Sequence, residues 1–499
     1  MAETTPQEQA AAQPAAATET TGEFDSLLKK HFKPQNDARA EAIRTAVQTL
    51  AAQALVDTAL VSDDVVRTIE SMIAEIDRRL TQQVDLIMHH ENFKTLEGAW
   101  RGLSYLVSNT ETDEFLKIRV MNISKKDMAR TIKKFKGTAW DQSPLCKKIY
   151  NEEYSQLGGE PYGCLVADYY FDHSAPDVEH LGGLAQIGAA AHAPVLSAAA
   201  PGLLGMDSWQ RLADPRDLTK IFGTPEYAAW RSLRESDDSR YISLCMPRTL
   251  ARLPYSAKNN PVEEFDYEED VAGADHGKFV WSNAAYAMAV NIARAFKLYG
   301  WCTRIRGVES GGLVEGLPVH TFPTDDGGVD MKCPTEIAID DQREGELSKS
   351  GFLPIVHRKN SDVAAFIGAQ TLQKPQEFQD ADATANANLS ARLPYIFAVC
   401  RFAHYLKCIV RDKIGSFKSR EDMQKFLANW INQYVDGDPA NSSEEGKARR
   451  PLAAAEVVVA DVEGNPGYYS AKFFLRPHYQ LEGLTVSLRL VSKLPSAKK

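Results

Sequence analysis

The chain has 499 residues, enough for two to four domains at about 100–200 residues each. Apolar residues make up 44% and charged residues 25%, a composition that excludes wholesale disorder and a membrane-embedded body. Its 57 basic and 67 acidic side chains give a net charge of -10, so we expect no nucleic-acid partner and no membrane insertion. Seven cysteines without a C-x-x-C pair, and an N-terminus without a signal-like apolar stretch, predict a cytoplasmic protein without disulfides or a zinc site.

Two kinds of segment follow each other at the N-terminal end. Residues 1–35 are predicted to be a disordered tail, because the first 22 contain no large apolar residue after Met1. Residues 36–110 are predicted to be helical, with an alanine-rich helix over Asp37–Asp57 and a stronger one beginning near Ser62. One narrow apolar stripe runs along this second helix: Val65, Ile69, Met72, Ile76, Leu80, Val84 and Ile87. Such a stripe is typical of a seam shared with another chain or of an intramolecular helical hairpin, and the pattern leaves both open.

A third helix is predicted next, with Phe93, Leu96 and Trp100 on one face. Gly98 and Gly102 lie inside it, where each glycine costs about 1 kcal/mol relative to alanine. We therefore expect another segment to approach this helix closely at the glycines.

Residues 111–300 are predicted to form an α/β domain, because strand-like and helix-like segments alternate. The strands expected are Phe115–Met121, Cys164–Phe171 and Tyr241–Met246. The helices expected are Ser124–Phe135, Pro176–Ala191, Pro225–Arg234 and Phe279–Tyr299. This alternation favours a mostly parallel sheet, and the loop 258–278, with six carboxylates among residues 263–270, is expected to face solvent.

The last 200 residues are predicted to begin with short strands, to continue with two long helices and to end with strands. Residues 301–436 read as β-rich and then helical, with short strands at Cys302–Ile305 and Glu336–Asp340. Two long helices follow, Leu389–Ile414 and Ser419–Tyr434. Residues 437–499 are predicted to contain a polar linker over Gly437–Arg450, followed by three strands: Ala454–Val462, Tyr468–Leu475 and Leu484–Val491. A turn at 464–467 separates the first two of these strands.

No motif in the sequence predicts a catalytic, cofactor or metal site. The segment Gly273–Phe279 has three residues between its glycines and no Ser or Thr after Lys278, so it is not a phosphate-binding loop. His89 and His90 are adjacent and cannot both reach one metal from a helix. Cys400 and Cys408 share a predicted helix with His404, an arrangement that favours buried packing over a catalytic dyad. A chain of this length without such a site is expected to be an assembly protein and not an enzyme.

The C-terminal strands point to an interaction with other chains. Val457 and Val459 lie in a strand that is apolar on both faces, and the two following strands are long and rich in Val, Leu, Tyr and Phe. Three strands joined away from the body, with no helix of their own to cover them, leave long unpaired edges that invite strand addition. The alternative is that they rejoin the central sheet, and the pattern alone does not decide.

Two blocks of sequence carry a specific resemblance. They are the stretch Glu91–Leu103 (ENFKTLEGAWRGL) and the stretch Phe473–Leu484 (FFLRPHYQLEGL). Both resemble the large subunit of the type VI secretion contractile sheath (the TssC/VipB family), and the similarity extends from about residue 60 to the C-terminus. The motif residues in the first block are Phe93, Leu96, Gly98, Trp100, Arg101 and Gly102.

This resemblance implies a mixed α/β core like that of phage tail sheaths, a helical N-terminal region that pairs with the small sheath subunit, and C-terminal strands shared between subunits. The heterodimers are expected to stack around an inner tube of haemolysin-coregulated protein, on a membrane-anchored baseplate in the bacterial cytoplasm. A Clp-type AAA+ unfoldase is expected to recycle the contracted sheath. No cofactor is implied.

The expected contact residues follow from joining the resemblance to the patterns above. The small subunit is expected to contact Val65, Ile69, Met72, Ile76 and Leu80. The shared strands are expected to include Val457, Val459, Tyr468, Tyr469, Phe474, Val486, Leu488 and Leu490. Arg392 is expected to face the inner tube. The alternatives are a phage-like single-chain tail sheath subunit and a cytosolic α/β enzyme with a non-standard site.

Overall fold

The structure is a computed structural model that describes residues 39, 41–42, 45, 65–214, 217–271, 273, 275–324, 326–416, 419–463 and 468–480. The predicted tail 1–35, the predicted turn 464–467 and the predicted strand Leu484–Val491 lie outside these residues. Of the predicted helix Asp37–Asp57, only residues 39, 41, 42 and 45 are described, and they are helical.

The helices of eight or more residues in the described part of the chain are numbered here in chain order. They are α1 (Val65–Met88), α2 (Glu91–Ser108), α3 (Lys125–Lys134), α4 (Ala175–Ala191), α5 (Ala228–Glu235), α6 (Ala285–Tyr299), α7 (Asp341–Lys349), α8 (Ala381–Ser390), α9 (Leu393–Asp412) and α10 (Arg420–Asn432). A π-helix spans Lys147–Ser155, and short helical segments include Leu218–Ile221 and Glu444–Arg449.

The strands of the described residues are also numbered in chain order. They are β1 (Leu165–Phe171), β2 (Val195–Ala199), β3 (Ile242–Met246), β4 (Thr249–Leu250), β5 (Trp281–Ser282), β6 (Leu313–Val314), β7 (His320–Pro323), β8 (Val329–Lys332), β9 (Phe352–His357), β10 (Ala364–Phe366), β11 (Leu452–Asp461) and β12 (Tyr469–Pro477).

The chain divides into two compact units. The first comprises Met1–Phe93 and Leu253–Ala272, and the second comprises Lys94–Arg252 and Gly273–Lys499. The domain boundaries predicted from the sequence remain predictions.

In the first unit, the acidic loop packs on the end of α1 and is only partly exposed to solvent. The Tyr267 hydroxyl donates to the Asp85 carboxylate at 2.7 Å. The Glu269 side chain is almost fully buried, and its carboxylate accepts hydrogen bonds from the His89 ring at 3.2 Å and from the Tyr255 backbone at 2.9 Å. The expectation of a purely solvent-facing loop is therefore wrong at Glu269, because this carboxylate finds donors inside the unit.

The second unit is built on a six-stranded sheet with the strand order β1-β2-β3-β9-β10-β6. The first four strands are parallel, and β10 pairs antiparallel with both β9 and β6. Every residue of β2 and β3 is buried, as expected for strands covered on both faces. The predicted mixed α/β architecture with a mostly parallel sheet is confirmed.

Two apolar cores lie on the sheet. One contains Leu181 of α4 and Trp230 of α5 together with Ile242 and Phe352 of the sheet. The other contains Met288 of α6 and Phe397 of α9 together with Leu353 of the sheet. The sheet is thus the middle layer between two sets of helices.

A third core lies at the C-terminal end and holds a separate two-stranded sheet. Strands β11 and β12 pair antiparallel with each other, and α10 packs against β11. Trp301 stacks on Phe402 of α9 with 4.4 Å between ring centroids, and both belong to the core that contains Val457 and Val459. We call α10, β11 and β12 the hairpin lobe.

Several predicted elements are wrong for identifiable reasons. Segment Phe115–Met121 alternates like a strand but pairs with no strand among the described residues. Cys302–Ile305 is irregular, and Glu336–Asp340 contains no strand. The helix predicted from Phe279 begins only at Ala285, because Trp281 and Ser282 pair with β4.

The helix predicted over Leu389–Ile414 is divided in two. Arg392 is extended at the N-cap of α9, and Pro394 stands at the first turn, where its missing N–H costs nothing. The predicted linker Gly437–Arg450 contains a short helix, Glu444–Arg449, capped by the Ser443 hydroxyl. The other helices and strands predicted within the described residues are present, with ends shifted by a few residues.

Among the described residues, α9 is the one helix long and apolar enough to cross a membrane. Half of its residues are buried, among them Phe397 in the second core and Phe402 in the third. Its apolar composition thus matches its place as a core helix.

Candidate assembly interface

The hairpin lobe presents one covered face and one open face. In β11, Val457 and Val459 are buried against the third core, while Val458 between them is exposed. In β12, Phe473 and Leu475 pack on the same core, while Phe474 between them is 58% exposed. The alternation of a strand thus places one row of side chains on α10 and the other in solvent. The expectation that no helix covers these strands is wrong, since α10 covers one face.

The strands of the lobe do not rejoin the central sheet. Nine residue pairs join β11 to β12, from Leu452 opposite Pro477 to Asp461 opposite Tyr469. Within the described residues, no third strand pairs with the outer edge of either strand, and only Leu452 at the beginning of β11 is bonded to another backbone segment there, at Tyr434 and Asp436. The Val459 N–H donates to the Gln424 side chain of α10 at 3.4 Å. The helix therefore protects part of one strand edge.

Three aromatic side chains of the hairpin are exposed. Phe474 lies on the open face, and Tyr468, which directly precedes β12, is 69% exposed. Tyr469 is also exposed, but it lies on the face of Phe473 and Leu475, at the beginning of β12. Exposed large aromatic side chains beside a strand edge are typical of a surface that another chain covers. Of the predicted strand residues, Tyr468, Tyr469 and Phe474 thus lie at the surface, Val457 and Val459 are core residues, and Val486, Leu488 and Leu490 lie outside the described residues.

The chain that leaves β12 is fixed to the body by two side chains. The His478 ring donates to the Arg450 carbonyl at 2.9 Å. The Gln480 amide donates to the Thr303 carbonyl at 2.9 Å and accepts from the Arg306 guanidinium at 2.8 Å. The Gln480 backbone N–H also donates to the Tyr395 hydroxyl at 3.0 Å. We call His478 and Gln480, with these partners, the anchor.

The inward face of α2 explains the two glycines of the first block. A Cβ on Gly98 would lie 2.3 Å from the Trp281 carbonyl oxygen, and a Cβ on Gly102 would lie 2.4 Å from the Tyr286 ring. Real Cβ atoms do not approach other atoms so closely, so both positions require glycine. The predicted close approach of another segment is confirmed.

A buried ion network lies beside these glycines. The Glu97 carboxylate accepts from Arg101 at 2.7 Å and from Arg252 at 2.6 Å. The Arg252 side chain is 5% exposed and that of Glu97 is 10% exposed. Removal of Arg252 or Glu97 would leave the other buried charge without this partner, so this pair holds α2 against the segment that contains Arg252. Arg101 of the family block binds Glu97 from the same helix, four residues along, and is 36% exposed.

The other residues of the family block face outward. Trp100 is 64% exposed and Leu96 is 56% exposed, and Phe93 and Val107 are exposed to a smaller degree. These four residues recur three to seven positions apart and form one apolar ridge along α2. The block Glu91–Leu103 thus packs inward through its two glycines and exposes Phe93, Leu96 and Trp100.

The predicted small-subunit stripe lies on α1. Met72, Ile76 and Leu80 are half-buried, and the side chains of Val65 and Ile69 lie outside the described ones. Ile73, Leu86 and Ile87 expose larger apolar surfaces on the same helix. The apolar surface of α1 is thus wider than the predicted stripe, and the contact with a small subunit remains a prediction.

Arg392, the predicted tube-facing residue, lies between α8 and α9. Its backbone forms a bridge with Gln370, and its side chain is half-buried. The residues that follow it at the N-terminal end of α9, from Leu393 to Ala398, are buried, and Val399 and Val410 are exposed. The role of Arg392 remains a prediction.

One buried carboxylate of the second unit, Glu336, is neutralised by two partners. Burial opposes ionisation of Glu336, whose side chain is 0% exposed, but hydrogen bonds from Arg248 and His276 outweigh it and lower the pKa of the carboxyl to about 2. Within the residues that the structure describes, no group of three or more His, Cys, Asp and Glu side chains is placed to hold a metal ion.

Comparisons with known proteins match both halves of the chain. Residues 70–373 match the model of the EvpB/VC_A0108 tail sheath N-terminal domain, and residues 382–494 match that of the EvpB/VC_A0108 tail sheath gpW/gp25-like domain. The chain belongs to the VipB family of type VI secretion sheath proteins. It is 70% identical over 488 residues to the type VI secretion system sheath protein TssC1 of Pseudomonas aeruginosa, covering 98% of both chains. It is therefore a structural subunit of a type VI secretion contractile sheath, as the two sequence blocks predicted.

Two solved structures align with part of this sheath subunit at low TM-scores. A chain of the anti-feeding prophage baseplate aligns with a TM-score of 0.37 and 12% identity, over 79% of this chain and 87% of that one. A chain of the contracted anti-feeding prophage helical sheath aligns with a TM-score of 0.28 and 13% identity, over 63% and 75%. The family assignment rests on the sequence matches.

Sequence reasoning missed the residues that fix the hairpin lobe to the body. Arg306 and Tyr395 are far from Gln480 in the sequence, and no periodic pattern links them. The signal that was available is the second block itself, since His478 and Gln480 lie inside it.

Proposed function

We propose that the subunit pairs with a small sheath subunit and that the heterodimers polymerise around an inner tube of haemolysin-coregulated protein. The polymer grows from a membrane-anchored baseplate in the cytoplasm and contracts to drive the tube and its spike out of the cell. The observation that carries the proposal is the hairpin lobe, whose strands are covered by a helix on one face and open on the other. It offers backbone hydrogen-bonding groups and aromatic side chains to a strand from another chain.

The lobe supports strand addition for a physical reason. A strand edge carries unpaired N–H and C=O groups, and natural proteins normally protect such edges with charges, prolines or covering segments. Here the open face carries Val458 and Phe474 among three charged residues, Glu456 opposite Phe474, Lys472 opposite Val458, and Arg476, so its apolar surface is bordered by charges of both signs. A strand from a neighbouring subunit would pair with the edge through its main chain and cover the aromatic side chains.

The third core makes the lobe part of the body. Trp301, Phe402 and Leu427 tie the hairpin to α9 and α10, so the shared strands would move with the body during contraction. Flexibility between subunits would then lie in the segments that connect shared strands to their own bodies. Contraction would release free energy through better contacts between bodies while main-chain bonds keep neighbours attached.

We also infer that the subunit carries out no bond-making reaction. The family is structural, and the buried Glu97 and Glu336 each contact arginine and serve packing. ATP would be hydrolysed by a Clp-type AAA+ unfoldase that recycles the contracted sheath. This chain needs no nucleotide site for that step, because the unfoldase supplies its own.

The experiment is co-expression of the full chain with the small subunit, followed by negative-stain microscopy. Val486→Pro and Leu488→Pro remove one backbone donor each from the predicted last strand, and we expect sheaths to disappear. The matched controls are Val486→Thr and Leu488→Val, which keep the donor and the strand preference, and they should form sheaths. Full-length sheaths from both proline variants would contradict strand sharing. Tubules from this chain alone would instead indicate a single-chain sheath, and discrete particles would contradict the sheath itself.

The small-subunit contact on α1 has its own test. Ile76→Asp places a charge on the half-buried stripe, and we expect the small subunit to be lost from affinity purification of the full chain. The matched control is Gln83→Glu, which adds one negative charge at an exposed position of the same helix. Equal recovery of the small subunit with both variants would place the contact elsewhere.

A further inference from the structure

Helix α3 presents a basic face in a chain whose net charge is -10. Met128, which is buried, and Ile132 lie on one side of this helix and pack on the core that contains Leu181 of α4. Four exposed cationic side chains lie on the opposite side, within about 100° of one another around the helix axis: Lys126, Arg130, Lys133 and Lys134. The packing of α3 therefore directs four positive charges away from the body. We call these four residues the basic face.

Most charges of the basic face have no anionic partner. Arg130 binds Asp127 of the same helix at 3.0 Å, and both side chains are exposed. The three lysines of the face form no ion pair within the part of the chain that the structure describes. The nearby Glu179 of α4 is bound by Lys136, which follows the helix, at 2.7 Å. The basic face thus keeps a positive charge that a partner can neutralise.

A groove on the first unit has the opposite charge. It lies between α1 and the acidic loop, and four carboxylates line it: Glu70, Asp77, Asp266 and Glu268. Arg78 also lines the groove, but its guanidinium is bound by Glu75 at 2.7 Å. Ile73, which is 53% exposed, adds an apolar surface. We call the four carboxylates and Ile73 the acidic groove.

The carboxylates of the acidic groove lack compensating charges. Burial raises the pKa of Asp77, and the neighbouring Asp266 carboxylate raises it further. None of the four carboxylates forms an ion pair among the described residues. Glu263 and Glu264 are exposed and extend the negative surface along the same loop. A basic partner would relieve the repulsion, and the aliphatic stems of its lysines would cover Ile73.

We propose that the basic face of one copy of this chain docks in the acidic groove of the next copy in the sheath. Every copy carries both surfaces, and they are complementary in charge but different in structure. A contact between two different surfaces of identical chains repeats from copy to copy, and where the rotation does not close it generates an open helical polymer. The proposal rests on the polymerisation described under the proposed function, and it names a contact that joins the bodies.

The first test reverses the charge of each surface separately. One variant carries Lys133→Glu and Lys134→Glu, and the other carries Glu70→Lys and Asp266→Lys. All four positions are exposed, so we expect both variants to keep the stability of the unaltered chain in urea denaturation. When each is co-expressed with the small subunit, we expect at least about tenfold fewer sheaths by sedimentation and negative-stain microscopy, because like charges then face each other.

The deciding test combines the two variants. Both are co-expressed with the small subunit, each with its own affinity tag. A contact between a copy with the reversed face and a copy with the reversed groove pairs opposite charges, whereas contacts between copies of one variant do not. We expect the sheath yield to return to at least about half of the unaltered level, with both tags present in equal amounts.

The matched control reverses the same number of charges elsewhere. Arg358 and Lys359 are adjacent and exposed after β9, and Arg358→Glu with Lys359→Glu should form sheaths like the unaltered chain. Loss of sheaths in this control would show that net charge decides assembly, and it would overturn the proposal.

Two other outcomes would overturn the proposal. One is a normal sheath yield from either reversed variant, because the contact would then be unnecessary. The other is a mixture of the two variants that forms no sheaths. If one chain with all four substitutions then assembles, the face and the groove meet within one chain. Absence of sheaths from the unaltered chain would instead contradict the proposed function, so the two failures are distinguishable.

Discussion

The central sheet and the hairpin lobe differ in how the faces of their strands are covered. The six-stranded sheet is covered on both faces by helices, and two of its inner strands, β2 and β3, are fully buried. The hairpin lobe has two strands, one covering helix and an open face that exposes Phe474. A two-stranded sheet is marginal by itself in water, so the lobe depends on the third core on one side and has room for a partner on the other. The contrast separates residues that hold the subunit together from residues available to join subunits.

The sharpest test of this contrast compares a core residue with an open-face residue of the same region. Trp301 is almost fully buried and stacks on Phe402, whereas Phe474 is mostly exposed. We expect Trp301→Ala to lower the free energy of unfolding by about 3–5 kcal/mol, measured by urea denaturation of the full chain. Phe474→Ala should change it by less than about 0.5 kcal/mol and yet reduce sheath formation. Similar losses of stability in both variants would remove the distinction between the two faces.

The central body should also respond to acid through His404 of α9. Its Nε2 lies 2.8 Å from the Ala191 carbonyl, and its buried Nδ1 has no hydrogen-bond partner among the described residues. Burial, with smaller contributions from Arg401, His192 and Lys407, lowers the pKa of His404 to about 4.

Because the folded state favours the neutral ring, this contribution is complete above the unfolded pKa of about 6.5 and is lost as the pH falls toward 4. We expect a loss of about 3 kcal/mol over that range, measured by urea denaturation at each pH. His404→Gln should flatten this part of the profile, and His90→Gln, at an exposed histidine, should not. An unchanged slope in His404→Gln would assign the acid sensitivity to other groups.

A smaller effect is expected where α2 meets the body. Gly98→Ala directs a Cβ at the Trp281 carbonyl oxygen, and a backbone atom cannot move aside as a flexible side chain can. We expect a loss of about 1–3 kcal/mol in the free energy of unfolding. The matched control is Gly345→Ala in α7, where a Cβ meets no atom within 4 Å. The control should stabilise the chain by up to about 1 kcal/mol, since alanine favours a helix.

The sequence predicts elements well where burial and periodicity coincide. Strand β3 and helix α10 were predicted within two residues of their ends; β3 is fully buried, and a capping box on Ser419 begins α10. Segment Phe115–Met121 shows the limit of such reasoning, because alternation says which side chains share a face and nothing about which strand supplies hydrogen bonds. Its Phe115 and Val120 are exposed in the described structure.

The candidate interface was predictable only in part. Tyr468, Tyr469 and Phe474 were identified because apolar residues in terminal strands stand out in a chain otherwise well covered. The cover by α10 was missed, since the pairing of a helix with a strand more than twenty residues away leaves no local pattern. The wider apolar surface of α1 was not predicted, because the prediction considered only the residues of one narrow apolar stripe.

The anchor at Gln480 limits how far the residues that follow it can extend from the body. A fully extended chain spans at most about 3.6 Å per residue, and Val491, the end of the last predicted strand, lies eleven residues beyond Gln480. No part of that strand can therefore reach farther than about 40 Å from the point where Arg306 holds Gln480. If the strand is shared, this radius limits how far two adjoining bodies can separate or slide during contraction before the link between them must break.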